Sequence, residues 1–295
     1  MDIVHHALIG GAGMLMAVAQ DQPLAGLAFV AGSVFPDLDV IFMVFGKRFY
    51  LKHHQGITHS IVLAPLYALL LSALLLLPLG EWWQMEVYLA ALAGLVIHVL
   101  LDWFNTYRIA LLAPFVKKRY SLDAVFFIDS VALALTALFY ALYAVDQLDI
   151  AIWLYPAGFS IYFLAKLAYQ RRIRRQLQAL FAIPSSFNPF EFYVLTEDEQ
   201  GLFAYIYNGL TGNRKKQIRY SAEAEDIRTL VLTSRVYQDM KHITRAFHIT
   251  DVDKTRSGVR IQANDIAVRN FGGKFARTTL EFDNNGKLIR EVANI

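Results

Sequence analysis

Runs of apolar residues at roughly 7–20, 24–45, 60–79, 87–104, 124–145 and 150–170 decide what the first part of this chain can become. A helix needs about 20 apolar residues to cross a bilayer core, and the third to sixth runs approach that length. The first run is short and carries Gly10, Gly11 and Gly13. The second is interrupted by Pro36, Asp37 and Asp39. These two are read as a helical hairpin buried against the others, because irregular backbone survives at membrane depth only where protein or a wet cavity covers it. Gly10, Gly13, Gly26 and Gly32 offer the small surfaces that let membrane helices approach closely. A hydrophobic share of 56 % exceeds that of ordinary soluble domains. The expectation is an all-α polytopic membrane helix bundle of four to six apolar segments over residues 1–175, followed by a small soluble α+β domain over 181–295.

Charge is distributed unevenly, so the net +3 says little about partners. No Lys or Arg precedes Lys47. Lys47, Arg48 and Lys52 share one loop, Lys117, Lys118 and Arg119 another, and Arg171, Arg172, Arg174 and Arg175 follow the last run. The intervening loops carry Glu81 and Glu86, then Asp146 and Asp149. The positive-inside rule puts the basic loops and the C-terminal domain in the cytoplasm, with Trp82, Trp83 and Trp153 in an aromatic belt on the other face. The start has no basic n-region, so the first run is expected to stay in the mature protein. Without cysteine, neither a disulfide framework nor a thiolate metal site can form. No nucleic-acid motif is present.

Beyond residue 181 the pattern changes. Residues 190–194 alternate like a strand, residues 210–213 and 283–286 look like hairpin turns, and Asp226 to Arg245 has helical spacing.

Against this apolar background stand His6, Asp37, Asp39, His54, His59, His98 and Asp102. Ionisable groups at membrane depth cost roughly 2.5–3.5 kcal/mol each and are commonly functional. With an even number of crossings between them, these groups fall at one level, near the cytoplasmic face. A shared cation would offset their cost, and imidazole with carboxylate is the ligand set of zinc and similar divalent metals. His98 and Asp102 are i and i+4 and share a helix face. Proline at 36 frees backbone groups, and Gly56 permits a tight turn between His54 and His59. Each motif also has an ordinary reading: a hydrogen-bonded His–Asp pair in a bundle, a helix end with solvated acids, a juxtamembrane loop. His5 and His53 fall outside the motifs and are read as bystanders. Arg108 and the basic residues 117–119 could rim the site and attract an anionic head group, although topology alone accounts for 117–119. Ser121 reads as the cap of the fifth helix, which Asp123 begins. Asp129 reads as lying one or two turns inside it, either holding an imidazole or pairing with a basic group.

The order of motifs is a His near the N-terminus, Pro-Asp-x-Asp, His-x-Gly-x-Thr-His-Ser, then His-x-x-x-Asp-x-Phe-Asn. Over about residues 1–170 this resembles the YdjM-type family of bacterial inner-membrane proteins, commonly described as membrane-bound metal-dependent hydrolases. In pattern only, it is distantly similar to zinc-dependent phospholipase C and P1-type nuclease. The resemblance implies a multi-pass protein of the bacterial inner membrane with His6, Asp37, His59, His98 and Asp102 as metal ligands. Asp39 and His54 would complete the site or act as general base. The family's usual Arg after the first loop His is Gln55 here, which removes a phosphate-binding group, and its usual Gly after Asn-x-Tyr is Arg108. The implied cofactor is a divalent metal, zinc first, as one or two ions. The implied substrate is membrane lipid or another membrane-associated molecule, with a phosphoester such as a phospholipid the economical choice. The C-terminal domain lies outside the resemblance and could dock a protein partner. The alternatives are a transporter or ion-sensing protein, or a membrane anchor for an interaction domain.

Overall fold

Apolar helices form along the first part of the chain where the runs predict them, but with different lengths. The computed structural model describes residues 3–46, 49–50, 53–199, 201–221, 224–244, 246–256, 258–266 and 277–294. The helices are α1 (Ile3–Val18), α2 (Pro23–Val34), α3 (Ala64–Leu76), α4 (Met85–Phe104), α5 (Ser130–Ala144) and α6 (Leu148–Gln176). Three stretches are long and apolar enough to cross a membrane: Pro23–Phe45, Met85–Phe104 and Leu148–Gln176. The remaining apolar helices, Ile3–Val18, Ala64–Leu79 and Ser130–Ala144, are shorter.

The third and fifth runs therefore fall short of the spans expected of them, for local reasons. The third starts as a turn in which Ser60 Oγ donates to Ala113 O and Ile61 N donates to Leu111 O, so helix begins only at Ala64. In the fifth, Asn105 Oδ1 accepts from Phe127 N, and Thr106 Oγ1 donates to Val125 O. These bonds hold residues 124–127 out of the helix. Asp129 is the N-cap, accepting from Val131 N and Ala132 N. Ser121 is therefore not the cap of α5, and its hydroxyl donates to Asp123. Asp129 does pair with a basic group: the buried Lys166 ammonium of α6 donates to it, as does Tyr162 Oη at 2.7 Å.

The closest helix pair is α2 with α4. A Cβ on Gly32 would run into the Ala91 carbonyl, and one on Gly94 into the Phe29 carbonyl. The two backbones touch through paired glycines, and Ala28, Ala64, Ala68 and Ala91 extend the small-residue seam to α3. Pro36 has no N–H to give the Gly32 carbonyl, so α2 stops at Val34 and continues as a 3-10 helix, Phe35–Phe45. Outward, α3 exposes Leu66, Leu69, Leu70 and Leu74, a face suited to lipid rather than water. Trp82, Trp83 and Trp153 are exposed as well.

The chain divides into two compact units, the first comprising Met1–Ile41, His53–Arg172 and Pro184–Pro189, the second Phe42–Lys52, Ile173–Ile183 and Phe190–Ile295. The return of residues 184–189 to the first unit rests on Ser186, whose hydroxyl donates to Phe126 O and whose carbonyl accepts from Ser130 N. The basic residues Lys47, Arg48 and Lys52 lie outside the described residues.

The second unit holds two four-stranded sheets, each in sequential order. One contains β1 (Phe181–Pro184), β2 (Glu191–Asp198), β3 (Gly201–Asn208) and β4 (Arg214–Ser221). The other contains β5 (Phe247–Thr255), β6 (Gly258–Asp265), β7 (Arg277–Phe282) and β8 (Leu288–Asn294). Alternation was the expected burial in β2, but Phe192, Tyr193, Val194 and Leu195 are all buried. Both expected hairpin turns are present, with Gly212 and Gly286 at positive φ. The helical stretch expected from Asp226 to Arg245 is broken into α7 (Glu225–Val231) and α8 (Arg235–Ile243), because Ser234 leaves the helix to cap Tyr237 N. Ile227, Val231, Tyr237 and Met240 of these helices pack on Ile261, Leu280 and Phe282 of the second sheet.

Candidate metal centre

The α2–α4 contact places the Ser33 carbonyl 2.7 Å from His98 Nδ1. A carbonyl can only accept, so Nδ1 carries the proton and Nε2 presents its lone pair to the interior. One turn further along α4, Asp102 points the same way, its Oδ2 3.6 Å from His98 Nε2. The short 3-10 turn Ile57–His59 brings His59 Nε2 to 3.3 Å from His98 Nε2 and 3.2 Å from Asp102 Oδ2. From the 3-10 continuation of α2, Asp37 Oδ1 stands 3.6 Å from His59 Nε2 and 3.7 Å from His98 Nε2. One ligand atom from each of these residues lies within 4.8 Å of the other three.

These separations fit a cation. Four ligands at zinc-type bond lengths of about 2.0–2.2 Å in a tetrahedron stand about 3.3–3.6 Å apart. His59, His98 and Asp102 are fully buried. Asp37 Oδ2 is also buried and has no hydrogen-bond partner among the described residues. Two imidazole nitrogens and two carboxylates aimed at one point would repel without a positive charge between them. Burial disfavours a charge on His59, yet the carboxylates of Asp102 and Asp37 beside it prevail and raise its pKa to about 9. A proton there does part of what a metal would do, and a metal would displace it.

The other expected residues surround this group. His6 Nε2 lies 3.2 Å from Asp102 Oδ1, the other oxygen of that carboxylate, and its ring stacks on His98 at 3.7 Å. A carboxylate only accepts, so His6 donates and orients Asp102. Three residues per turn in the 3-10 helix send Asp37 and Asp39 to different sides. Asp39 turns to the 54–59 loop: its Oδ1 is 2.9 Å from His54 Nδ1, and its Oδ2 accepts from Gln55 N at 2.8 Å and Thr58 Oγ1 at 3.4 Å. Thr58 Oγ1 is in turn 3.1 Å from His59 Nδ1. The loop is tightly wound, with Gln55 at φ 53° and the Gly56 amide donating to His53 O. His54 is the partly open member, 29 % exposed at the side chain. His5, expected as a bystander, is buried at 3 % exposure.

Three further contributors lie outside the expected set of site residues. The Ser33 carbonyl carries no sequence signal. Thr58 sits inside the His-x-Gly-x-Thr-His-Ser motif and was legible as a member of it. Arg119, read as topology, donates from Nη1 to His54 O at 3.0 Å and to Arg108 O at 3.4 Å, and so holds the ligand loop from outside. Its signal was only that it is an arginine near the motif.

The sequence profile described as "YdjM inner membrane protein" matches residues 1–173, which contain every residue named in this centre. The uncharacterized protein YfhP of Bacillus subtilis (strain 168) is 29 % identical over 188 residues, covering 60 % of this chain and 56 % of that protein. The match therefore spans little more than half the length of that relative. No solved structure matches. With its apolar helices and the ordered His and Asp motifs inside the matched region, the chain belongs to the YdjM inner membrane protein family.

Proposed function

We propose that this is an integral-membrane metal-dependent hydrolase of phosphoesters. The observation that carries the reading is the convergence of Asp37, His59, His98 and Asp102 from three separate segments on one point. Such a set would hold one divalent metal, zinc first, with Asp102 oriented by His6 and His98 by the Ser33 carbonyl. When bound, the metal supplies Lewis-acid polarisation of a phosphoryl oxygen and makes a water nucleophile available near neutral pH. Asp39 only accepts, so it fixes the proton of His54 on Nδ1 and leaves Nε2 basic. His54 Nε2 takes the proton of the attacking water and returns it to the leaving oxygen as the phosphorus–oxygen ester bond breaks. Asp39 keeps its charge and stabilises the imidazolium between these transfers.

Location selects the substrate. The positive-inside rule makes the loop bearing Lys117, Lys118 and Arg119 and the arginines ending α6 cytoplasmic, and the centre lies at the helix ends on that side. A phospholipid presents its phosphoester at that level. Multi-pass insertion in the inner membrane and a cytoplasmic second unit follow from the same rule.

The test is a screen of the metal-loaded protein against phospholipids and soluble phosphoesters, beside His54→Gln. The variant should keep its metal and lose about 10²–10⁴-fold in kcat. Turnover equal to wild type would remove His54 from the mechanism. Absence of phosphoester turnover by the metal-loaded protein would overturn the reaction class.

A further inference from the structure

An apolar groove of about 400 Å³ runs along the first unit between α1, α4 and α6. Its walls include Ile9, Gly13 and Met16 of α1, Ile97, Leu101 and Phe104 of α4, and Tyr155, Phe159 and Phe163 of α6. No lining residue carries a formal charge. The one phenol, Tyr155, shares a 2.9 Å hydrogen bond with Thr136. The volume falls within the range of about 300–1,000 Å³ typical of small-molecule sites.

The groove and the metal centre share the helices α1, α2 and α4. On α1, His6, Ile9, Gly13 and Met16 are spaced 3, 4 and 3 and make one helical stripe, with the centre's His6 at its head. On α4, Ile97 and Leu101 form the stripe next to that of His98 and Asp102, about 100° round the helix. From Ile9 to Met16 the helix rises about 10 Å at 1.5 Å per residue, so the groove descends from the centre towards the bilayer interior. Its floor is shaped for occupancy. A Cβ at Gly13 would strike the Phe29 ring, which lines the groove, so glycine lets that ring lie flat. Pro156 interrupts the hydrogen-bond ladder of α6 at the opposite wall. Two of the wall helices are long and apolar enough to span a bilayer, so the medium that enters the groove is hydrocarbon.

We propose that this groove is an acyl-chain site, seating one fatty tail of a bilayer lipid whose head group lies at the metal centre. The inference rests on the phosphoester reading for its orientation, and it narrows the substrate from any phosphoester to a diacyl lipid. The groove itself is testable without turnover.

The experiment uses the full chain in bilayers containing a phospholipid with a photoactivatable diazirine in one acyl chain, with labelled residues mapped by mass spectrometry. Wild type should label groove residues several-fold more than the outward leucines Leu66 and Leu70 of α3. Ser160→Trp and Leu100→Trp fill the groove from opposite walls at exposed positions. Each should reduce groove labelling to the level of α3 while metal content stays at wild type. Labelling spread evenly over the lipid-facing helices, or groove labelling unchanged in both tryptophan variants, would overturn the proposal. A His98→Ala, Asp102→Ala variant separates the two readings. Loss of metal with groove labelling retained keeps the acyl site independent of the chemistry, and groove labelling absent in a metal-replete wild type removes the acyl site alone.

Discussion

His98 has one way to present its lone pair, because Ser33 fixes the proton on Nδ1 at 2.7 Å. Removing a ligand and removing an orienting partner should therefore differ in degree. Asp102→Asn should abolish tight metal binding. His6→Ala leaves all four ligand atoms in place and should weaken binding by about 10–100-fold, measured by competition with a chelator. Equal loss in both variants would make His6 a ligand. At this scale the sequence was informative about chemistry and uninformative about partition. The spacing of His98 and Asp102 announces a shared face. That Asp37 faces the ligand cluster while Asp39 holds His54 depends on a 3-10 turn, which two carboxylates separated by one leucine do not announce. The Ser33 carbonyl could not be foreseen, since every residue has one.

Among the elements, the α2–α4 seam sets the centre's geometry. Gly94→Val would drive a side chain into the Phe29 carbonyl and part the helices. A cost of about 1–3 kcal/mol is expected, with metal affinity falling because Ser33 moves off His98. Gly158→Ala, where a Cβ would meet only Leu135 at 3.7 Å, is the control and should be close to neutral. The Asp129–Lys166 pair ties the start of α5 to α6. Lys166→Met leaves a buried carboxylate unpaired and should cost about 3–5 kcal/mol in unfolding measured in detergent. Lys166→Met with Asp129→Ser retains a capping hydroxyl and should recover most of the loss. No recovery would mean that the pair is more than a charge match. The helix type of each run was legible from its apolar length. The late start of α5 was not, because it is imposed by Asn105 and Thr106 from the end of another helix.

For the whole molecule, the division into two units makes the position of a truncation matter. A chain cut after Arg175 loses Ser186 and its bonds to Phe126 and Ser130 and should be destabilised. A chain cut after Pro189 keeps them and should retain metal. Equal behaviour of the two would discount that return segment. Composition separated the apolar region from the polar one, and glycine-bearing turns marked individual hairpins. Two sheets of four strands were not readable, because strand order comes from pairing between distant segments. The central claim concerns the four converging side chains. The most direct test is the metal content of the purified, detergent-solubilised full chain by mass spectrometry, beside an equally folded His98→Ala, Asp102→Ala variant. The account predicts stoichiometric divalent metal in the wild type and its loss in the variant. No metal in either, even after reconstitution with added zinc or manganese, would contradict it and leave the cluster as a buried His–Asp network.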